Sequence, residues 1–261
     1  WLQFETNRAR FIGSGRTLHN PVALDSGARL TGDSGPVLDP IASLRTAVEL
    51  DAGQSAEVTF VLGAAGDAGA IDEALVAAWK TGHGAAIGRH AGTTASGNGK
   101  PMRASVPEFL GTLVDEKYRP ASAIESETKS AGELSGSSRG SQLQFENGYG
   151  GFSADGREYV IRVRPQGHGQ HRPPMPWTNV IANEQAGFIV SESGAGYTWS
   201  GNSRMNRLTA WNNDPICDPH GEALWIRDED RKVFWSPTPG PTPATSEYEV
   251  RHGFGYSVFK N

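Results

Sequence analysis

Short segments in which apolar and polar residues alternate recur along this chain, and they constrain its fold more than any other feature. Tyr159, Ile161 and Val163 alternate with charged neighbours, and two further strand-like segments flank the acidic turn 228–230. A period of two places the apolar side chains on one face of a β-strand. Turns of Gly, Asn, Asp and Pro separate the segments, and the chain has 33 glycines. The sequence therefore predicts an all-β fold, an antiparallel β-sandwich.

The first part of the chain, residues 1–80, contains two alternating segments on either side of a turn. Residues 44–50 alternate, a turn follows at 51–54, and residues 56–62 alternate again, so residues 43–63 are predicted to form a hairpin. Ile71, Leu75 and Trp79 stand four apart and predict a short amphipathic helix within 67–80.

Residues 81–141 are rich in Gly and Ser, and they are predicted to be a flexible linker with a helical turn or two in 107–119. Strand-like segments return in residues 142–261. About 60 flexible residues reach about 40 Å as a coil, which is enough to span a domain of this size. Residues 1–80 and 142–261 can therefore close into one composite sandwich, and two separate parts are the alternative.

Charge and apolar content exclude several classes of function. The formal net charge is −5, which gives no general excess of cations for phosphates, so nucleic acid is not an expected partner. No apolar run approaches the roughly 20 residues that span a bilayer, so a soluble chain is expected. The single cysteine, Cys217, cannot form an internal disulfide and is expected to have no role in catalysis. Because Trp1 already begins a strand-like segment, the chain is expected to be a fragment of something longer.

The segment SESGAGYTWSGNSRMNRLTAWNNDP, residues 191–215, concentrates aromatic, amide and guanidinium groups. Aromatic rings can stack on the apolar faces of a pyranose, while Asn and Arg can hydrogen-bond its hydroxyls. The predicted sugar-binding residues are Tyr197, Trp199, Asn202, Arg204, Asn206, Arg207 and Trp211. In the alternative reading Trp199 and Trp211 pack between sheets, and the asparagines form Asx turns.

Carboxylates that could cleave a glycosidic bond are few in this segment. Such chemistry uses a pair, one to protonate the leaving oxygen and one to attack or to activate water. Glu192, Asp214 and Asp218 are the candidates, but both aspartates precede a proline, which is typical of a turn. No catalytic residue is predicted.

Histidines and glycines supply the remaining candidate motifs. His252 beside Arg251 could be a general base or a phosphate contact, but structural hydrogen bonds at a strand end are expected. His168 and His171 have a spacing that could bind metal on a helix, but the prolines that follow exclude the helix. Residues 148–151 lack the Lys-Ser/Thr ending of a phosphate-binding P-loop. The sequence therefore predicts no metal and no cofactor.

Several long motifs resemble glycoside hydrolase family ninety-four. They are ENGYGGFSADGREYVI (146–161), the segment 176–215, GEALWIRDEDRKVFWSP (221–237) and YEVRHGFGYSVF (248–259). These resemble the opening part of that family's β-sandwich, of the galactose-mutarotase-like supersandwich type. Within the family, which holds cellobiose and chitobiose phosphorylases, the likeness is greatest to the C-terminal region of cyclic β-1,2-glucan synthases. Residues 4–21 and 35–65 resemble the closing strands of the same sandwich, so the order is that of a truncated, rearranged or circularly permuted domain.

The resemblance implies a role for the chain and a set of partners. In the family the catalytic aspartate lies in an (α/α) barrel that follows the sandwich, so none of the residues here is expected to inherit it. The resemblance implies a sandwich that binds β-glucan or gluco-oligosaccharide, supports that barrel and helps to form a homodimer. It also implies the cytoplasmic side of a bacterial inner-membrane protein. The alternatives are part of an active glucosyltransferase or phosphorylase, and a structural remnant without a ligand.

Overall fold

The computed structural model of the chain describes residues 2–58, 60, 62–64, 143–166 and 169–261. Two compact units divide the chain. The first comprises Trp1–Ser14 and Gly27–Gly132, and the second comprises Gly15–Ser26 and Glu133–Asn261. The paired strands of both units are antiparallel, and helix is limited to a few residues, so the predicted all-β, antiparallel sandwich class is confirmed. The predicted helix within 67–80 and the predicted linker 81–141 lie outside the described residues.

The first unit is built on one pair of strands with a short helix beside it. Strand β1 (Leu2–Asn7) pairs with β2 (Pro40–Thr46), so that Phe4 lies opposite Leu44. Helix α1 (Arg8–Ile12) begins at Asn7, whose side chain accepts hydrogen bonds from two backbone N–H groups of the first turn. This cap satisfies donors that a helix start would otherwise leave unpaired.

The hairpin predicted over residues 43–63 is wrong. The turn forms, since the Gln54 N–H donates to the Asp51 carbonyl at 3.0 Å, but residues 47–58 contain no strand. Strand β2 pairs with β1 instead, across about forty residues of chain. A local turn therefore formed at 51–54 without strands on either side of it in residues 47–58.

The second unit holds two larger sheets and a small one. The five-stranded sheet has the order β12–β11–β4–β3, with β5 also on β4, and the three-stranded sheet has the order β6–β7–β8. The third sheet pairs β9 with β10. The strands of this unit are β3 (Gly150–Phe152), β4 (Glu158–Gln166), β5 (Gly169–His171), β6 (Thr178–Ala182), β7 (Ala186–Ser191), β8 (Gly196–Ser200), β9 (Ile226–Asp228), β10 (Val233–Trp235), β11 (Tyr248–Gly253) and β12 (Tyr256–Lys260).

The core of the second unit lies on the two central strands of the five-stranded sheet. Ile161 and Val163 of β4 and Tyr248 and Val250 of β11 have no exposed surface, and Trp177 packs against this cluster. The Tyr248 hydroxyl is buried with the ring, but it donates to the Ser236 carbonyl at 2.8 Å. The alternation of apolar and charged residues that predicted β4 therefore correctly identified Ile161 and Val163 as buried.

Polar contacts join the three-stranded sheet to the hairpin β11–β12. The Asn179 side-chain amide of β6 donates to the carbonyls of Gly253 and Tyr256, both at 2.9 Å. His252 of β11 lies 3.3 Å from the Trp177 carbonyl through Nε2, and 2.9 Å from the Ser257 hydroxyl through Nδ1. Asn179 therefore points toward the five-stranded sheet, and this face of β6–β7–β8 is the inner one.

None of the helices in the described parts of the chain has both the length and the apolar content needed to cross a membrane.

Candidate functional site

The aromatic residues of the segment 191–215 gather on the outer face of the three-stranded sheet. Val180, Ile189 and Tyr197 lie opposite one another across β6, β7 and β8. Successive residues of a strand point to opposite faces, and Asn179 occupies the inner face. Tyr197 and Trp199 therefore point to the face opposite Asn179, and both side chains are buried there.

The covering loop, residues 201–222, folds over these outward-facing rings. The ring centroid of Tyr197 lies 5.2 Å from that of Trp199 and 4.9 Å from that of Trp211, with tilts of 39° and 34°. The Arg207 guanidinium carbon lies 5.4 Å from the centre of the Tyr197 ring, within the range of a cation–π contact. Tyr197 and Trp199 are 9% and 8% exposed, so most of their ring surface is already used by this packing.

A close approach of backbone and indole fixes Trp199. A Cβ at Gly187 on the neighbouring strand would lie 2.4 Å from the Trp199 ring, so only glycine leaves room for the indole across β7. The loop then continues along the free edge of β8, where the Leu208 N–H donates to the Thr198 carbonyl at 2.9 Å. The covering loop is thus joined to the sheet by backbone hydrogen bonds as well as by ring packing.

The tip of the covering loop, residues 202–206, is exposed throughout. Asn202 accepts hydrogen bonds from the backbone N–H groups of Arg204 and Met205, both at 2.9 Å, which is an Asx turn. The Asn206 side-chain amide donates to the Ser200 carbonyl at 3.0 Å, and the Arg207 Nε donates to the Ser203 carbonyl at 3.1 Å. The tip is therefore held in one shape while the Arg204 side chain extends into solvent.

All seven predicted sugar-binding residues lie on this loop and the strand beneath it, but they divide into two groups. Tyr197, Trp199, Trp211 and Arg207 form the packed layer. Asn202, Arg204 and Asn206 form the exposed tip. Sugar binding itself stays a prediction, and the exposed tip, Arg207 and the half-buried Trp211 have free surface for a ligand.

Two carboxylates hold the covering loop to the sheet. The Asp218 Oδ2 accepts hydrogen bonds from the hydroxyls of Ser191, at 2.6 Å, and Ser193, at 2.5 Å. The Glu222 Oε1 accepts from the hydroxyls of Thr198, at 2.6 Å, and Thr209, at 2.7 Å. Both carboxylates therefore accept hydrogen bonds within the protein, near the C-terminal end of the loop.

Glu192 directly follows β7 and is buried. It is 3% exposed, and its Oε2 accepts a hydrogen bond from the Trp177 N–H at 2.7 Å. Burial raises the pKa of Glu192 to about 7, and the charge of Asp218 adds to that rise, while the Trp177 N–H and Arg172 oppose it. Glu192 therefore changes its charge near neutral pH, inside the fold rather than on a surface that a substrate could reach.

Arg172 and His220 complete the charged surroundings of Glu192. The Arg172 guanidinium donates to the Gln170 side chain and to the Pro239 carbonyl, the latter at 2.9 Å. Burial lowers the pKa of Arg172, and the negative charges of Glu192 and Asp218 act against that effect. His220 lies 3.3 Å from the Ser193 carbonyl through Nε2, and burial lowers the pKa of His220.

The remaining candidates of the sequence have structural partners. Asp214 accepts hydrogen bonds from the Ile216 and Cys217 N–H groups, which lowers its pKa and confirms the predicted turn. His252 makes the structural hydrogen bonds between sheets described above. His171 stacks on Tyr149 at 4.7 Å between ring centres, and His168 lies outside the described residues.

Sequence reasoning missed Arg172, His220 and Glu222. Apart from Gln170, which is two residues from Arg172, their partners lie 13 to 67 residues away along the chain, so local spacing does not indicate their roles. One signal was available, since Asp218, His220 and Glu222 alternate in a short Gly/Pro-bounded run directly after the aromatic segment.

Comparison with known proteins gives one family and related enzymes. The model of the glycosyl hydrolase 94 supersandwich domain matches residues 2–81 and 157–261. The cyclic beta-(1,2)-glucan synthase NdvB of Rhizobium meliloti is 44% identical over 136 residues, which cover 52% of this chain and 4% of the synthase. The N,N'-diacetylchitobiose phosphorylases of Vibrio proteolyticus and Vibrio furnissii are 33% and 35% identical over 115 residues, 43% of this chain and 14% of each enzyme.

The alignments thus cover a small part of each relative, and the family model spans the strands and the loop that form the candidate site. The matched family residues span more than half of the chain and both of its compact units. This agrees with the antiparallel sheets of the structure and with the resemblance of the sequence motifs. The chain belongs to the glycosyl hydrolase 94 supersandwich-domain family.

Proposed function

We propose that this chain is a carbohydrate-binding and support β-sandwich of a cyclic β-1,2-glucan synthase-like, glycoside-phosphorylase-related protein. Its ligand is a β-glucan or gluco-oligosaccharide, and it does not catalyse a reaction by itself. Its partners are an (α/α)-barrel catalytic domain and a second copy of the same protein, with which it forms a homodimer on the cytoplasmic side of a bacterial inner membrane. The single observation that carries the proposal is the exposed, hydrogen-bonded loop tip. The class of ligand comes from the related proteins, which are a glucan synthase and two chitobiose phosphorylases.

The packed layer beneath the tip supports a binding role. Trp211 and Arg207 both contact Tyr197, which itself contacts Trp199, so the loop rests on a continuous aromatic base. A loop whose backbone is already ordered loses little conformational freedom when it meets a ligand. Arg204 and the amides at the tip then supply the donors and acceptors that sugar hydroxyls need.

The carboxylates of the loop region support a role without catalysis. A glycosidic general acid must reach the oxygen of the leaving group, and its partner must reach the anomeric carbon or a water. Glu192 and Asp218 are 3% and 8% exposed, and both are engaged in hydrogen bonds within the fold. Glu222 and Asp214 hold hydroxyl and backbone donors of the loop itself.

Calorimetric titration with linear β-1,2-gluco-oligosaccharides tests the binding role. Arg204→Ala is the informative variant, because Arg204 is exposed at the tip and its removal leaves the packed layer intact. We expect its affinity to fall at least about tenfold, as the loss of a hydrogen bond to a charged group predicts. Arg157→Ala is the matched control, since the Arg157 side chain is 82% exposed on the turn between β3 and β4.

Four outcomes decide among the functions. Binding by the wild-type chain that Arg204→Ala weakens and Arg157→Ala does not supports the proposal. Equal affinities of the two variants would place the ligand elsewhere. A phosphorolysis assay on glucosyl disaccharides is run beside the titration. Turnover by the purified chain would support the alternative in which the chain is part of an active enzyme. Absence of both binding and turnover favours a structural remnant.

A further inference from the structure

We infer that the second unit contains a groove whose ligand is a segment of the chain's own N-terminal part. The segment, Gly15–Ser26, is called the strap, and the groove is formed by Trp225, Arg227, Pro241 and Thr242. The strap belongs to the second unit by its packing, although 106 residues, 27–132, separate it from the rest of that unit along the chain. This interaction surface is distinct from the loop tip that carries the proposed sugar binding, and it does not depend on that function.

The strap has a defined shape of its own. The Asn20 N–H donates to the Thr17 carbonyl at 3.1 Å, which closes a turn. A 3₁₀ helix follows at Val22–Leu24, and an ion pair of 2.6 Å between Arg16 and Asp25 brings the two ends of the strap together. Since a preorganised segment loses less entropy on binding, this closed shape favours its docking as one piece.

Three hydrogen bonds connect the strap to the groove. The Thr242 hydroxyl donates to the His19 carbonyl at 2.7 Å, and the His19 Nδ1 donates to the Pro241 carbonyl at 2.8 Å. The Arg227 guanidinium donates to the Asp25 carbonyl at 2.9 Å. The three contacts span both ends of the strap, so they fix its direction and its register in the groove.

The groove side of these contacts is held rigidly by the core of the second unit. The Ser236 N–H donates to the Thr242 carbonyl at 2.6 Å, and the Thr242 N–H donates to the Ser236 hydroxyl oxygen at 3.2 Å. The Trp225 indole N–H donates to the Thr242 hydroxyl at 3.2 Å. Ser236 in turn accepts the hydroxyl of the fully buried Tyr248. The groove is therefore continuous with the core cluster rather than a flexible surface feature.

The strap also buries apolar side chains. Pro21 is among the fully buried side chains, and Ala23 and Leu24 are 4% and 8% exposed. Removing such side chains from water is favourable in proportion to their apolar area. Leu24 is the largest of the three, so its burial is expected to contribute most to the affinity of the strap.

Cutting the chain between its two parts tests the inference in the whole protein. A recognition site for a sequence-specific protease is inserted between residues 98 and 99, and complete cleavage is verified on a denaturing gel. We expect the pieces 1–98 and 99–261 to co-elute in size-exclusion chromatography, since the strap holds the first piece in the groove. Separate elution of the two pieces would overturn the inference.

A matched pair of leucine variants shows whether the strap carries the association. Leu24→Ala is expected to weaken the association of the cut pieces at least about tenfold, as buried leucine truncations do. Leu38→Ala is the control on the same piece, because Leu38 is fully exposed. Equal retention of the two variants would refute the role of the strap.

Competition with a synthetic peptide gives a readout that does not depend on the folding of any variant. An excess of a peptide with the sequence of residues 15–26 is added to the cut wild-type protein. Release of piece 1–98 is expected, with less release by the same peptide carrying Leu24→Ala. Retention of piece 1–98 at saturating wild-type peptide contradicts the inference.

Discussion

Replacement of the buried Glu192 by glutamine is expected to change how the stability of the protein depends on pH. The pKa of Glu192 is about 7 in the fold, against 4.5 for the same group in the unfolded chain. A carboxyl group whose pKa is higher in the folded than in the unfolded state lowers stability at every pH above its unfolded pKa, because folding must then either protonate the group or bury its charge. The cost grows from pH 4.5 to pH 7 and then stays constant.

The magnitude follows from the difference between the two pKa values. One pKa unit is about 1.4 kcal/mol, so the full cost is about 3 kcal/mol, of which about 2.5 kcal/mol develops between pH 5 and pH 8. Glu192→Gln has no charge to bury and can still accept the Trp177 N–H. We expect the free energy of unfolding of the variant, minus that of the wild type, to rise by about 2.5 kcal/mol over this range.

Urea denaturation at several pH values, followed by tryptophan fluorescence, measures the difference. Five of the seven tryptophans of the chain lie in the second unit, so the signal reports mainly on the unit that contains Glu192. His220 and His252 act in the opposite direction, because burial lowers their pKa values and their contribution to stability is lost as pH falls below about 6.5. Their effect is common to both proteins and cancels in the difference.

Glu184→Gln serves as the control, because Glu184 is exposed on the turn between β6 and β7. A difference between Glu192→Gln and wild type that stays constant from pH 5 to pH 8 would refute the reasoning from burial. So would an equally steep change in Glu184→Gln.

Two further substitutions test the covering loop. Gly187→Ala places a methyl group 2.4 Å from the Trp199 ring, so we expect it to lower the free energy of unfolding by about 1 to 3 kcal/mol and to change the near-ultraviolet circular dichroism. Gly169→Ala is the control and should change neither, because no neighbour lies closer than 4.0 Å. Asp218→Asn loses one acceptor for two serine hydroxyls, so we expect a loss of about 1 to 3 kcal/mol and faster proteolysis within residues 201–222. An unchanged cleavage rate would show that Asp218 does not hold the loop.

Strand positions could be predicted from the sequence wherever the signal is local. The alternation of Tyr159, Ile161 and Val163 marked β4, and the acidic turn 228–230 marked the hairpin β9–β10. Residues 43–63 failed, because β2 found its partner in β1 rather than across the adjacent turn. Which strand occupies an edge is decided by packing over the whole unit, and a turn motif contains no information about it.

The candidate site shows the same limit. Composition identified the aromatic segment, but it could not tell the inner face of β8 from the outer one. That distinction depends on the register between strands and on Asn179, which lies 18 residues before Tyr197. Similarly, Asp218 was a turn or catalytic candidate and Glu222 was not identified, and only their distances to serine and threonine hydroxyls show that they hold the loop.

The way in which the covering loop is attached has a consequence for how such a protein can change over time. Its fixed points are Asp218 and Glu222, together with the rings on the sheet, whereas residues 202–206 contribute little burial. Substitutions in those five positions therefore alter what the loop presents while they leave the scaffold that carries it untouched. Under the proposed sugar-binding role, ligand preference and folding depend on different residues of one short segment, so that new preferences can arise without loss of stability.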